Sequence, residues 1–270
     1  MAEIIARSGI VAAALALAAV LHPGTARAED RDFCADRPGR GTPACTLSPG
    51  QAMIEVGVIG WDHSADAGGS NDSFNLADTL LRVGVTQQTE LQVGIAGYTR
   101  TRARDKTGVL SEQRGIGDGY IAVRQGLAGD NGPAAIEAFV TLPLGKPPAG
   151  AGDWGAGVLL PFGKKLGGGF ELALTPEADL AVNASGHGRH LAYGGVIGVS
   201  HTLAKDLSAT GEVFAFEDND PDGHAFDARV AGSLAWQVGK RLQLDVEGDL
   251  GVSHAAPKRA LMIGFARRIG

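Results

Sequence analysis

The residues able to do chemistry in this chain are few, and their spacing works against most reactions. Ser200–His201 and Ser253–His254 each place a hydroxyl beside an imidazole. Adjacent residues on an extended strand point to opposite faces, however, so neither pair meets the geometry of a serine hydrolase. No G-x-S-x-G turn is present. Gly115-x-Gly117-x-Gly119 has the look of a phosphate-cradling loop, but it is followed by YIAVRQGL, which alternates as a strand. No helix opens there to offer its amino terminus to a phosphate, and Asp118 reads as the start of a strand. The run EDNDPDGH, Glu217 to His224, is rich in oxygen donors but lacks EF-hand spacing, and reads as a solvated acidic loop rather than a Ca²⁺ site. These residues name no catalytic group, no cofactor site and no metal site.

The cysteines have a structural reading. Cys34 and Cys45 bracket CADRPGRGTPAC, a short Pro/Gly-rich loop. In an exported chain such a pair forms a disulfide. Metal binding would need further ligands, and redox chemistry would need the Cys-x-x-Cys spacing.

What remains is charge at alternate positions. Gln243, Asp245, Glu247 and Asp249 interleave with Leu242, Leu244, Val246 and Leu250. Asp227 and Arg229 interleave in the same way with Phe226, Ala228 and Val230. Between Leu80 and Tyr98, Leu81, Val83 and Val85 lead through a Gln87-Gln88 turn into Leu91, Val93 and Ile95. A period of two sorts large aliphatics onto one face of a sheet and polar or small residues onto the other. The polar face then carries Glu55, Arg82, Arg124, Glu137, Glu171, Glu212, Asp227, Arg229, Asp245, Glu247 and Asp249, with Asp78, Glu177, Asp179 and Arg268 beside them. Phe214 and Phe216 share the parity of Glu212, which leaves a bulge or a rim position open there.

The elements that position these residues are about twelve strands, near 51–62, 73–86, 89–101, 115–127, 133–143, 153–163, 168–182, 188–203, 206–217, 225–238, 241–252 and 259–269. Links alternate in character. Long polar segments (HSADAGGSND, TRARDKTGVLSEQR, GKPPAGAG, ASGHG, EDNDPDGH, HAAPK) exchange with short ones such as Gln87-Gln88, Gly163–Leu166, Ala204-Lys205 and Gly239-Lys240. That asymmetry, repeated along the chain, predicts an all-β fold, a transmembrane antiparallel barrel with its aliphatic face in lipid and its long loops outside. Pro161 and Pro176 fall inside strand patterns, where a bulge or a strand end is expected.

Export is written at the start. Arg7, the apolar Gly9–Leu21 and Ala26-Arg27-Ala28 form a cleavable signal over residues 1–28, too short for a spanning helix. Residues 29–50 then read as a periplasmic segment holding the disulfide, and 51–270 as the barrel. Forty-one glycines are about twice average usage and suit a curved wall. The net charge of −6, without a basic stripe, excludes nucleic acid as a partner.

Four segments together resemble the outer-membrane family named for the meta-pathway of phenol degradation, whose members are often labelled simply transporter. They are CADRPGRGTPACTLSPGQAMIEVGVIGWDH, LLRVGVTQQTELQVGIAGY, GIGDGYIAVRQGL and FVTLPLG. The resemblance implies an outer-membrane barrel for uptake of small hydrophobic or aromatic compounds, with no catalytic residues or cofactor. The implied partners are outer-membrane lipid, the assembly machinery and a small-molecule solute.

An acid-rich lumen favours cations in a water-filled pore. Arg229 facing Asp245 or Glu247 would partly offset it, and the Cys34–Cys45 segment would occlude it in part. Three alternatives stay open: a non-conducting surface barrel with a structural or loop-binding role, a barrel-embedded hydrolase, and a soluble periplasmic β-protein.

Overall fold

The computed structural model describes residues 31–129 and 132–269; the expected signal peptide lies outside them. Fifteen strand segments follow one another: β1 (Ala52–Asp66), β2 (Gly69–Gly84), β3 (Thr89–Ile95), β4 (Tyr98–Asp105), β5 (Leu110–Ile116), β6 (Gly119–Gly126), β7 (Ala135–Leu142), β8 (Gly155–Leu159), β9 (Phe162–Gly167), β10 (Phe170–Val182), β11 (Arg189–Ala204), β12 (Leu207–Asp218), β13 (Ala225–Val238), β14 (Leu242–Gly251) and β15 (Arg259–Ile269). β3 and β4 both pair with β2, β6 and β5 continue them on the next strand, and β8 and β9 both pair with β10. Each of those three couples is one interrupted stave, which leaves twelve. β1 pairs with β2 on one side and β15 on the other, so the barrel wall closes on itself, while β5 in the outer hairpin pairs with β4 alone.

The aliphatic face points outward. Leu91, Val93 and Ile95 are exposed while Glu90 and Gln92, on the alternate positions, are buried, and Phe226, Val230, Leu234 and Trp236 are exposed on β13. In a soluble protein such a surface would be a liability; in a bilayer it is the solvated face. The interior is correspondingly polar. Among the described residues an apolar cluster forms from Leu47, Met53 and Ala266, with Phe33 and Ala35 packed on them.

Several sequence expectations need correction. The segments 63–72 and 101–114 are not loops: β1 and β2 run on to a tight turn at 67–68, and β4 and β5 form a projecting hairpin turned at 106–109. Alternating Thr/Arg and Ser/Gln residues extend the ladder above the apolar belt, where polarity no longer argues against strand. Gly163–Leu166 is strand, not turn; the hairpin reverses through Gly167, Gly168 and Gly169, whose φ values of 88°, 60° and 82° are open to glycine.

Pro161 does fall in a break, between β8 and β9. Pro176 does not end or bulge its strand, since β10 pairs with β11 continuously across it. Its carbonyl accepts the Leu160 N–H at 3.0 Å, so the side of Pro176 that lacks a donor faces the β8–β9 interruption. The two prolines thus share one gap in the ladder.

On the other side of the barrel β1 bulges at Val58, β2 turns at Ala77 (φ 60°), and the staves beyond break at Ala96–Gly97 and Gly117–Asp118. Asp78 accepts the Gly97 N–H at 2.7 Å, and Asp118 accepts those of Gly145 at 3.1 Å and Ala151 at 2.6 Å. Asp118 therefore ties the 143–154 loop to the wall.

Candidate functional site

Residues 31–50, expected as a periplasmic segment, lie inside the barrel. Cys34 and Cys45 form the disulfide. Residues between them make a loop whose tip, near Arg40, reaches furthest in. Gly39 adopts φ 101° there, and a Cβ on it would come within 2.7 Å of Glu212 Oε2, so glycine is the side chain that fits. At the other end Arg31 donates to the Gln87 carbonyl at 2.7 Å, and Arg268 of β15 donates to that of Asp32 at 2.8 Å.

One wall of the interior is built on two arginines with no exposed side-chain surface. Arg82 holds both oxygens of Glu90, at 2.7 and 3.1 Å, and one of Glu55 at 2.9 Å. Arg124 donates to Glu137 at 2.5 Å and takes both oxygens of Asp36 at 2.9 and 2.7 Å. The same guanidinium groups reach the disulfide's own backbone: Arg82 the Cys34 carbonyl at 2.9 Å, Arg124 that of Cys45 at 3.3 Å. Tyr120 and Gln92 complete Glu137, at 2.6 and 3.1 Å. Leu47 N–H donates to Glu90, and the N–H groups of Asp36 and Arg37 donate to Glu55.

The facing wall is acidic. Arg37 pairs with Asp245 at 2.8 Å, Gly39 N–H donates to Glu247 at 2.6 Å, and Arg40 donates twice to Asp249, at 3.0 and 2.6 Å. Glu212 accepts the N–H groups of Arg40 and Gly41, and Thr175 exchanges hydrogen bonds with the backbone of Thr42. Gln243 donates to the Arg37 carbonyl at 2.7 Å.

Arg229 is not the partner of Asp245 or Glu247. The β13–β14 register sets Arg229 opposite Gly251, so its guanidinium bonds Asp227 on its own strand and approaches Asp249 at 3.7 Å and Asp62 at 3.6 Å. Glu171 stands exposed at the short-turn end of β10, apart from both walls. Phe214 and Phe216 occupy no bulge: β12 pairs continuously, and their rings stack at 5.5 Å on the same side as Glu212, with Arg40 over Phe214 at 5.3 Å. Above the first wall a cavity of ≈ 420 Å³ is bounded by Arg37, Asp78, Leu80, Tyr120 and Thr141.

The residues weighed for hydrolase chemistry have other neighbours. His201 stacks on Phe170 at 4.1 Å, and Ser253 Oγ accepts the Ala228 N–H at 2.8 Å.

Sequence reasoning missed Glu90, Asp36, Arg37, Arg40 and Thr175. Glu90 was legible, since it shares the parity of buried Gln92. The segment residues carried no periodic signal, because an irregular loop has none.

A closed barrel, aliphatic outside and charged within around a disulfide-closed plug, defines an outer-membrane β-barrel protein. The family described as "Putative MetA-pathway of phenol degradation" matches residues 35–269, and the chain belongs to it. The structure is similar to the COG4313 outer membrane channel from Pseudomonas putida F1, with a TM-score of 0.65 at 15% identity over 86% of this chain and 99% of that one. It is more loosely similar to the KdgM porin in complex with disordered oligogalacturonate (TM-score 0.46, 12% identity, 78% and 99% covered) and to the NanC porin (0.49, 7%, 81% and 100%). No curated protein matches the sequence.

Proposed function

We propose that the protein is an outer-membrane channel for small solutes whose lumen is narrowed by residues 31–50. The carrying observation is the unequal state of the two walls. Both oxygens of Glu55, Glu90 and Glu137 have partners within the protein. Asp245, Glu247 and Asp249 each keep one buried oxygen that no protein donor reaches among the described residues, and the Glu247 and Asp249 carboxyl groups stand against each other. Buried carboxylate oxygens are normally satisfied, so this second wall is the side suited to water and mobile cations. Its arginines come from the plug, so displacing the plug would uncover an acidic stripe that favours cations.

The solute class rests on the family's description, which concerns phenol degradation. The ≈ 420 Å³ cavity beside Leu80 and Tyr120 is large enough for a small aromatic molecule.

Planar-bilayer conductance and liposome swelling of the full chain, and of a variant lacking residues 31–50, test the reading. Conductance that rises on deletion, with a cation-directed reversal potential, supports it. No conductance and no swelling in either protein would instead favour a non-conducting surface barrel, a reading that the buried ion pairs of the first wall also accommodate.

A further inference from the structure

The outer rim contains a group of side chains that the channel reading leaves unused. His190 is the second residue of β11, and Asp218 closes β12. The pairing of Ala192 with Asp218 carries His190 alongside Asp220 in the following loop. Ligand atoms of these three residues lie within 4.8 Å of one another, Asp218 meeting the ring at Nε2 and Asp220 Oδ2 lying 3.6 Å from Nδ1.

The imidazole orientation is fixed by its neighbours. Asn183 donates its amide N–H to the His187 carbonyl at 2.9 Å, which turns Asn183 Oδ1 toward His190 Nδ1, also at 2.9 Å. An acceptor at that position requires Nδ1 to carry a proton. In the neutral ring Nε2 is then a bare lone pair. It lies 2.6 Å from Asp218 Oδ1, on a side chain only 4% exposed, yet without the alignment of a hydrogen bond. Asp218 Oδ1 already accepts the Asp220 N–H at 3.0 Å. A buried lone pair pressed against a carboxylate is repulsive unless a cation lies between them. A proton on Nε2 would not point at the oxygen, whereas a metal ion placed off that line can take both atoms.

We propose that His190, Asp218 and Asp220 form a binding site for a divalent transition-metal ion of the zinc type at the outer mouth of the barrel. An imidazole with two carboxylates suits borderline metals, while Ca²⁺ and Mg²⁺ prefer all-oxygen sets. The Nδ1–H to Asn183 contact is the outer-shell hydrogen bond that orients metal-ligating histidines. Each carboxylate oxygen keeps a second lone pair beyond its backbone N–H, and Asp218 is 45% exposed, which gives an ion its entry path. Because Asp220 also accepts the Ala184 N–H at 2.6 Å, a bound ion would fasten the 183–188 and 219–224 loops to each other.

The test is calorimetric titration of chelator-treated, folded protein in detergent with Zn²⁺, with Ca²⁺ as competitor. One saturable equivalent is expected, undisplaced by excess Ca²⁺. His190→Gln and Asp218→Asn should abolish it, and Asn183→Ala, a positioning change, should weaken it by roughly tenfold or more. His63→Gln serves as the control, because His63 sits 2.9 Å from Asp72 elsewhere on the rim and should leave binding intact. Unboiled gel mobility shows that each variant is folded. Absence of saturable binding in the wild type, or binding lost in His63→Gln but kept in His190→Gln, would overturn the proposal.

Discussion

The two walls of the barrel interior solve the same problem in opposite ways. Around β1, β2, β3, β6 and β7 the wall supplies both signs, Arg82 and Arg124 against Glu55, Glu90 and Glu137, and the plug adds one acid, Asp36. Around β12 and β14 the wall supplies Glu212, Asp245, Glu247 and Asp249, and the plug brings the bases, Arg37 and Arg40. Neighbouring residues Asp36 and Arg37 thus face opposite walls with opposite charge. A reversed plug would set acid against acid. The first wall holds itself together; the second depends on a segment that meets it through polar contacts, while the segment's apolar residues Phe33, Ala35 and Leu47 pack on Met53 and Ala266.

The largest effect should come from the first wall. Arg82→Met leaves Glu55, Glu90 and Asp36 short of a buried cation and should cost about 3–5 kcal/mol in urea unfolding. The loss should persist when residues 31–50 are deleted. A cost that vanishes with the plug would mean that this wall is not self-supporting.

Next in size is a test of the faces of the second wall. Val246→Arg turns a charge into lipid and should cost about 2–4 kcal/mol near the midplane, whereas Glu247→Gln should cost little. Similar defects in both would reverse the assignment of inside and outside on β14.

The disulfide closes a loop of separation 11 and contributes roughly 2–3 kcal/mol by restricting the unfolded segment. Cys34→Ser with Cys45→Ser should therefore loosen the plug while leaving the barrel's gel mobility intact. Protease sensitivity of the segment is the measurement, and an unchanged cleavage rate would count against it. Thiol reagents should find nothing to label in the unreduced parent.

The smallest stability effect belongs to the plug's arginines, which are partly exposed. Arg37→Gln with Arg40→Gln should cost about 1 kcal/mol or less, yet move the reversal potential toward cations. Replacing Asp245, Glu247 and Asp249 with their amides should move it the other way. A common direction for both sets would show that selectivity resides elsewhere.

The barrel was legible because lipid enforces a strict period of two. Leu242 to Val252 announces its faces without knowledge of any partner. Strand ends were less legible: Arg102 to Arg104 looks like loop by polarity, but outside the lipid belt a ladder needs no apolar face. Pairing was least legible. Arg229 sits on the same face as Asp245, but a contact depends on register, which the residues alone do not state. The compensating arginines lie in an aperiodic stretch, so the acidic surplus read from the strands overstated the charge of the folded interior.

The plug is followed by β1 and completed by the strands at the far end of the chain. Arg37 finds Asp245 across 208 positions, and Asp32 is gripped by Arg268 across 236. The segment at residues 31–50 is thus exported early and acquires its last partners only when the final strand is laid in. A chain missing β14 and β15 would carry the plug's bases with no acids to receive them. A one-residue slip where β15 meets β1 would turn Arg268 to the lipid and release Asp32. The seating seen here, Arg37 on Asp245 and Asp32 under Arg268, thus requires a last strand that is both present and in register.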